Sequence, residues 1–299
     1  MNTEYIKILP ELKAHYANGG NMMEFLRNHF GRGYNNFDDI ICSYDLQSGT
    51  YIEFAKKNQD FIQKYSLEVA NILEGIDGSI NSILEAGVGE ATTFANMLGN
   101  LKTPCINAFG VDISWSRVHL GNKYLADKNL NYVKLGTGNI FNLPFKDDSI
   151  DIVYTSHAIE PNGGVESKLV AELYRVAAKY LVLFEPAYDF ADGESKKRME
   201  KNGYCIKLWD VIKEEGYEVV EHRLMNLYSN PLNPTGLTII KKKGESTNKV
   251  GWACPITNIE LEVVDNVMTN DSLGVSYPII KNIPCLLPEN AILTSCFNK

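Results

Sequence analysis

Between residues 80 and 241, short apolar runs alternate with stretches of helical periodicity, and that alternation leaves the chain very few folds. Parallel strands cannot be joined by tight turns, because each return needs a crossover, usually a helix. The spacing predicts strands over 82–85, 106–112, 132–135, 150–156, 180–184, 218–226 and 237–241. Helices are expected over 92–101, 116–128, 166–178 and 205–215, with Gly216 where a helix C-terminal cap belongs. The last two strands are joined by a turn-rich segment, 229–236, that carries two prolines and no helical pattern. They should therefore close as an antiparallel hairpin, with the final strand inserted beside its neighbours. The expectation is an α/β fold with a doubly wound, seven-stranded sheet.

The flanks read differently. Residues 1–75 have helical texture, with Met22, Phe25, Leu26 and Phe30 at helix spacing and a break around Gly31 and Gly33, as in a lid or cap. The stretch 242–249 is polar and lacks apolar anchors, so a linker is placed there, before a small β-rich module. The units expected are 1–75, 76–245 and 246–299.

Bulk properties narrow the function classes. No apolar run approaches the roughly 18–20 residues that cross a bilayer, and the N-terminus lacks a basic start followed by an apolar stretch. No membrane insertion is expected, and the cytoplasm is the expected location. The six cysteines are scattered without a C-x-x-C pair, which argues against a disulfide framework and against a complete zinc site. A formal net charge of -8, with a basic run only at 241–243, disfavours nucleic acid as a partner.

The strongest local signal is Ile83-Leu-Glu-Ala-Gly-Val-Gly-Glu-Ala-Thr92, a buried strand running through two glycines into a helix. Gly87 and Gly89 permit a tight turn and a close approach of backbone amides to a ligand at a positive helix end. A dinucleotide site would need a third small residue, where this chain has Thr92, and Glu85 precedes the first glycine. Next, Asp112 ends the second strand, where a carboxylate can accept from both ribose hydroxyls. The segment 137–153 then places Asn139 and Ile140 before Leu143-Pro-Phe145 and the fourth strand.

These three elements, in this order, resemble motif I and the following motifs of class I S-adenosyl-L-methionine (SAM)-dependent methyltransferases, over about residues 75–243. The resemblance implies a Rossmann-like sheet, SAM as cofactor and a small-molecule acceptor. It gives Glu85 the methionine end of SAM, Asp112 the ribose, and Asn139 with Ile140 the adenine flank. Asn139 stands where the family usually has Asp, and its amide oxygen can still accept from the adenine amino group. Upstream, Tyr44 to Tyr51 resembles the segment that many members fold over the SAM site. It reads equally as a helix start, with Ser48 or Thr50 capping a helix over 51–65.

Methyl transfer is an in-line displacement at an activated carbon, so alignment and water exclusion matter most. A base is needed when the acceptor is a hydroxyl or a protonated amine. After the fourth strand, where the family places acceptor-facing residues, the chain offers His157 and Glu160, and His157 is the first choice for the base. The alternative is that His157 packs against the adenosyl group or satisfies a loop. Many members have Glu-His here; Glu160-Pro161 departs from that. Glu185, before Pro186, either orients the acceptor at the pocket mouth or ends its strand as a solvated carboxylate. Turns at 162–164 and 233–236 lie at the same edge.

The C-terminal segment, with Trp252-Ala-Cys-Pro255 and 276–288, resembles the zinc-ribbon-like module of methyltransferase activator subunits. Thr257 stands where the second cysteine would be, which leaves Cys254 alone and no metal expected. The module would serve packing, a protein partner or a homo-oligomer. The function expected is methylation of a small acceptor, such as a sugar hydroxyl; a protein or RNA methyltransferase and a non-catalytic SAM-binding subunit are the alternatives.

Overall fold

The computed structural model describes residues 3–78, 80–105, 107–244, 250–270 and 272–297. It opens with helices α1 (Thr3–Ala17), α2 (Met22–His29), α3 (Phe37–Leu46), α4 (Thr50–Lys57) and α5 (Gln59–Ile76). The first three bury Tyr5, Leu12, Met22, Leu26 and Cys42 in a core of their own. Asn36 and Asp39 start α3 as a reciprocal capping box. The Asp39 carboxylate also accepts from Tyr5 Oη (2.7 Å) and Arg32 Nη2 (2.8 Å). This network ties α1 to α3 and to the segment that joins α2 and α3.

The central layer follows as β1 (Ser82–Ala86), α6 (Thr92–Asn100), β2 (Asn107–Asp112), α7 (Trp115–Asp127), β3 (Lys134–Thr137), β4 (Ile150–Ser156), α8 (Glu166–Val176), β5 (Ala177–Pro186), α9 (Gly193–Asn202), α10 (Leu208–Glu214), β6 (Glu218–Leu224) and β7 (Thr235–Lys241). The sheet order is β3-β2-β1-β4-β5-β7-β6. β1 to β5 are parallel to their neighbours, and β7 is antiparallel to both β5 and β6. Every residue of β1 is buried, because helices cover both faces of the sheet. Ile83 faces the core under α5 and α6, whereas Leu84 faces the core under α8 and α10.

Several boundaries differ from the sequence reading. α9 was not expected, since its only buried side chains are Ser195 and Met199, one turn apart in a charged segment. α10 starts at Leu208 instead of 205, because the Cys205 amide is drawn to Glu160 O (2.9 Å). The helix expected over 51–65 is two helices, broken at Asn58, whose amide caps Phe54 O. β3 lies two residues later than expected, and β7 starts at Thr235 because Thr235 pairs with Pro186. Gly216, with φ 73°, follows α10 as expected. Position 106 of the second strand and 245–249 of the linker lie outside the described residues. Lys242, at the linker's start, is anchored on Tyr174 O (2.8 Å).

The C-terminal strands β8 (Glu262–Val264), β9 (Val267–Asn270), β10 (Val275–Ile280), β11 (Ile283–Pro284) and β12 (Ile292–Leu293) form an antiparallel sheet over Cys254, Leu261, Met268, Tyr277 and Leu286. Cys254 Sγ lies 3.3 Å from Tyr277 Oη. The module docks on the outer edge of the main sheet. Leu286 N–H donates to Thr137 O on β3 (3.1 Å), and Trp252 meets Phe109 edge to face at 5.3 Å. Among the described residues, no helix is long and apolar enough to cross a membrane.

Candidate active site

A cavity of about 1210 Å³ opens at the carboxyl ends of the parallel strands. Open α/β sheets bind ligands there, where strand order reverses on either side of β1. The sequence candidates Tyr44, Tyr51, Glu85, Gly87, Gly89, Asp112, Asn139, Ile140, His157 and Glu160 all line it.

The glycine turn sits directly on the loop that follows β4. Gly87 has φ 80°, and a Cβ there would fall 2.2 Å from Ala158 Cβ, so any side chain is excluded. The amides of the turn are spoken for, contrary to the expectation that they reach a ligand. Gly87 and Val88 N–H donate to Val111 O (2.8 and 2.9 Å), and Gly89 N–H donates to Asp112 Oδ2 (2.9 Å). The turn contributes shape and close approach, while donors and charge come from elsewhere.

Glu85 is 3% exposed and accepts from Tyr154 Oη at 2.7 Å. Burial pushes its pKa up to about 8 despite that bond, and Asp112 and Glu185 add repulsion. Burial also raises Asp112, against the opposing pull of Arg117 and of the Ser114 and Gly89 amides. Two carboxyls whose ionised form is disfavoured by burial suit a ligand that brings positive charge. The ammonium and sulfonium of SAM do so, and its ribose suits the remaining acceptor capacity of Asp112.

The other wall of this half-site is a strap, residues 44–52. Arg117, 1% exposed, stacks its guanidinium on Tyr44 (5.0 Å) and Tyr51 (4.5 Å) and donates to Tyr44 O (2.8 Å). Glu90 accepts from the Gly49 and Ile52 amides, both at 2.8 Å, and lies 3.8 Å from Arg117. Asp45 accepts from Ser114 Oγ (2.6 Å) and Ser116 N (3.0 Å). The start of α4 is thus capped by Glu90 from across the fold; Gly49 takes the cap position, and Ser48 and Thr50 do not cap it. Sequence reasoning missed Glu90, Arg117 and Asp45. Arg117 did leave a trace, since it shares the buried face of α7 with Val118, Gly121 and Leu125. After β3, Asn139 Oδ1 accepts the Phe141 amide (3.0 Å), which orders the turn bearing Ile140.

On the far side of the cavity, His157 takes φ 53°, strained for a residue with a Cβ, and its amide is fixed on Phe184 O. Its Nδ1 lies 3.3 Å from Glu160 Oε2, and its Nε2 lies 2.7 Å from Thr235 Oγ1. Asn233 Nδ2 donates to the same Glu160 oxygen at 3.2 Å. Burial disfavours the imidazolium, but the Glu160 bond and the charges of Glu160 and Glu185 override it, so the His157 pKa is raised. Glu185 corrects both of its readings. It is 3% exposed, stands behind the cavity wall and accepts from the Ala158 amide at 3.0 Å. Burial raises its pKa to about 7, against the pull of His157 and Thr155. Its role is to hold the turn that presents His157.

The cap supplies Tyr34 and Phe37 to this side, and the segment after α9 supplies Tyr204. Gly163 packs on that segment so closely that a Cβ would lie 2.5 Å from Tyr204 O.

A family profile described as a methyltransferase domain matches residues 83–179. A demethylmenaquinone methyltransferase of Halalkalibacterium halodurans is 31% identical over 117 residues, which is 39% of this chain and 44% of that one. The chain thus spans less than half of that relative's length. A solved structure from Methanococcus maripaludis, described as a SAM-dependent methyltransferase, matches with a TM-score of 0.50 at 14% identity, over 69% of this chain and 96% of that one. One from Nostoc punctiforme, described as an O-methyltransferase, has a TM-score of 0.50 at 13% identity, over 64% and 60%. These likenesses establish the fold. Residues 83–179 therefore match a methyltransferase domain, and they lie within a sheet of Rossmann-like order.

Proposed function

We propose that this chain methylates a hydroxyl of a small acceptor, a sugar or related metabolite, at the cavity described above. The observation that carries the reading is the hydrogen-bonded His157–Glu160 pair in the same cavity as the acids Glu85 and Asp112. A methyl sulfonium needs no electrophilic help, but a hydroxyl acceptor needs a proton sink. Bound SAM supplies a methyl carbon activated by a positive sulfur. Glu85, Asp112, Asn139 and Ile140 would hold it, with the strap residues Tyr44 and Tyr51 excluding water.

The acceptor hydroxyl takes the place of Thr235 Oγ1 at His157 Nε2. With Nδ1–H donating to Glu160, Nε2 is the accepting nitrogen. The acceptor oxygen forms the new bond to carbon, the sulfur–carbon bond breaks with its electron pair left on sulfur, and the hydroxyl proton goes to Nε2. Glu160 then faces an imidazolium, which it stabilises. The size of the cavity supports a small acceptor over a macromolecule.

The test is product analysis with isotopically labelled SAM and a panel of hydroxylated small molecules, alongside His157→Ala. An oxygen-methylated product, formed slowly by the variant at unchanged S-adenosylhomocysteine affinity, is expected. Methyl groups found on nitrogen or carbon, at a rate indifferent to His157, would refute the reading.

Separate apolar cores support a helical cap and a C-terminal module as units of the division at 1–75, 76–245 and 246–299, although α5, within the first unit, packs into the core of the main sheet. Six unpaired thiols suit the cytoplasm. Exposed Val263 and Leu293 (86%) support a contact between the C-terminal sheet and a protein or second copy; light scattering of the chain and of Leu293→Ser checks the second-copy form.

A further inference from the structure

We propose that the rim of the cavity, built by Arg198, Lys201 and Arg27, binds an anionic substituent, phosphate or carboxylate, on the methyl acceptor. This rests on the methyl-transfer reading and names a substrate class for it. Arg198 and Lys201 lie three residues apart on α9, hence on one face, and both line the cavity; Arg27 reaches the same cavity from α2.

The charges in the cavity are sorted. The carboxylates of Glu85, Asp112 and Glu160 belong to the strand ends, and each accepts hydrogen bonds from the protein. The rim instead carries cations without an ion-pair partner among the described residues. Arg198 Nη1 is buried and has no hydrogen-bond partner, although its guanidinium is steadied 5.6 Å from the Tyr204 ring. Arg27 is likewise aimed by one bond, Nη1 to Asn35 Oδ1 at 2.6 Å, which leaves its other nitrogens to a ligand. Glu200, beside Lys201, is occupied by Tyr188 Oη, and Glu289 also lines the cavity. Leaving a buried donor unmet is costly, and an oxyanion at Arg198 removes that cost. In a chain of net charge -8, three uncompensated cations at one mouth also attract an anion against the overall field.

The experiment is calorimetry on the full chain loaded with S-adenosylhomocysteine, titrated with pyrophosphate and, separately, with citrate at matched ionic strength. Binding of at least one anion is expected, weakened about tenfold or more by Arg198→Gln and less by Lys201→Gln. Pyrophosphate alone would indicate a phosphorylated acceptor, and citrate alone a carboxylate. Unchanged S-adenosylhomocysteine affinity in the variants shows that they fold. Binding of neither anion to the unaltered chain, or equal binding by chain and variants, overturns the proposal. Loss of S-adenosylhomocysteine binding by the unaltered chain would instead strike the methyl-transfer reading.

Discussion

Glu90→Gln is the sharpest perturbation of the strap. The native carboxylate, 1% exposed, accepts the Gly49 and Ile52 amides and faces Arg117. Glutamine keeps one accepting oxygen and turns an NH₂ toward the second amide, so one bond is lost and two donors oppose each other. A hydrogen bond to a charged group contributes about 1.5–3 kcal/mol, and the stranded Arg117 adds to the loss. Arg117 keeps its bond to Tyr44 O and its two aromatic contacts, which moderates that addition. The local cost should be about 3 kcal/mol, or a factor of about 150 in the opening of the strap. Hydrogen exchange at the Gly49 and Ile52 amides should accelerate by that order. S-adenosylhomocysteine affinity should fall about tenfold, because Tyr44 and Tyr51 then leave the wall part of the time. Native exchange rates at both amides, with affinity intact, would refute the idea that Glu90 holds the strap.

Glu85 is protonated below about pH 8 without ligand, and a bound ammonium favours its ionised form, so ligand binding near pH 6.5 should release close to one proton. Affinity should then rise with pH up to about that value; calorimetry in buffers of different ionisation heat counts the proton, and Glu85→Gln should abolish it. Because Glu85 and Glu185 both have raised folded-state values, their contribution to stability is greatest below pH 4.5 and is lost as pH climbs through about 7 to 8. The ligand-free chain should therefore melt lower at pH 8.5 than at pH 6, and a flat profile would count against the burial argument. His157→Ala should slow turnover by about a hundredfold or more. In the native chain the rate should rise with pH through a value above 6.5, and Glu160→Gln should move that limb to lower pH; an unmoved limb would separate the two residues. Gly163→Ala should push the Tyr204 segment off the loop after β4 and weaken acceptor use, seen as a raised acceptor KM at unchanged S-adenosylhomocysteine affinity.

The parts of the fold that were legible in the sequence are those in which local pattern and tertiary burden agree. β1 and β4 lie between helices on both faces, so their continuous apolar runs mark them within a residue. α9 failed this test because only its Ser195 and Met199 are buried. In the site, Glu85, Asp112 and His157 were readable because each ends a strand, where backbone geometry dictates the direction of the side chain. Glu90, Arg117 and Asp45 act between segments far apart in the chain, and no periodicity records such a meeting. Thr235 and Asn233 were hidden for a different reason. Their Asn-Pro-Thr-Gly context looks like turn chemistry, yet it also delivers the oxygen and the amide that hold His157 and Glu160.

The two outer strands of the main sheet handle their unpaired edges by opposite means. β6 carries Glu221, His222 and Arg223 and is bulged between Val219 and Glu221, which makes it a poor template for a foreign strand. β3 has only Lys134 as a charge and relies on Cys285 and Leu286 to lie along Thr137. That cover is made well after β3 itself, so a nascent or truncated chain presents a naked, adhesive flank until residues 285–286 arrive. Cutting the chain before residue 285 should therefore first cost it solubility, before any loss of cofactor chemistry is felt.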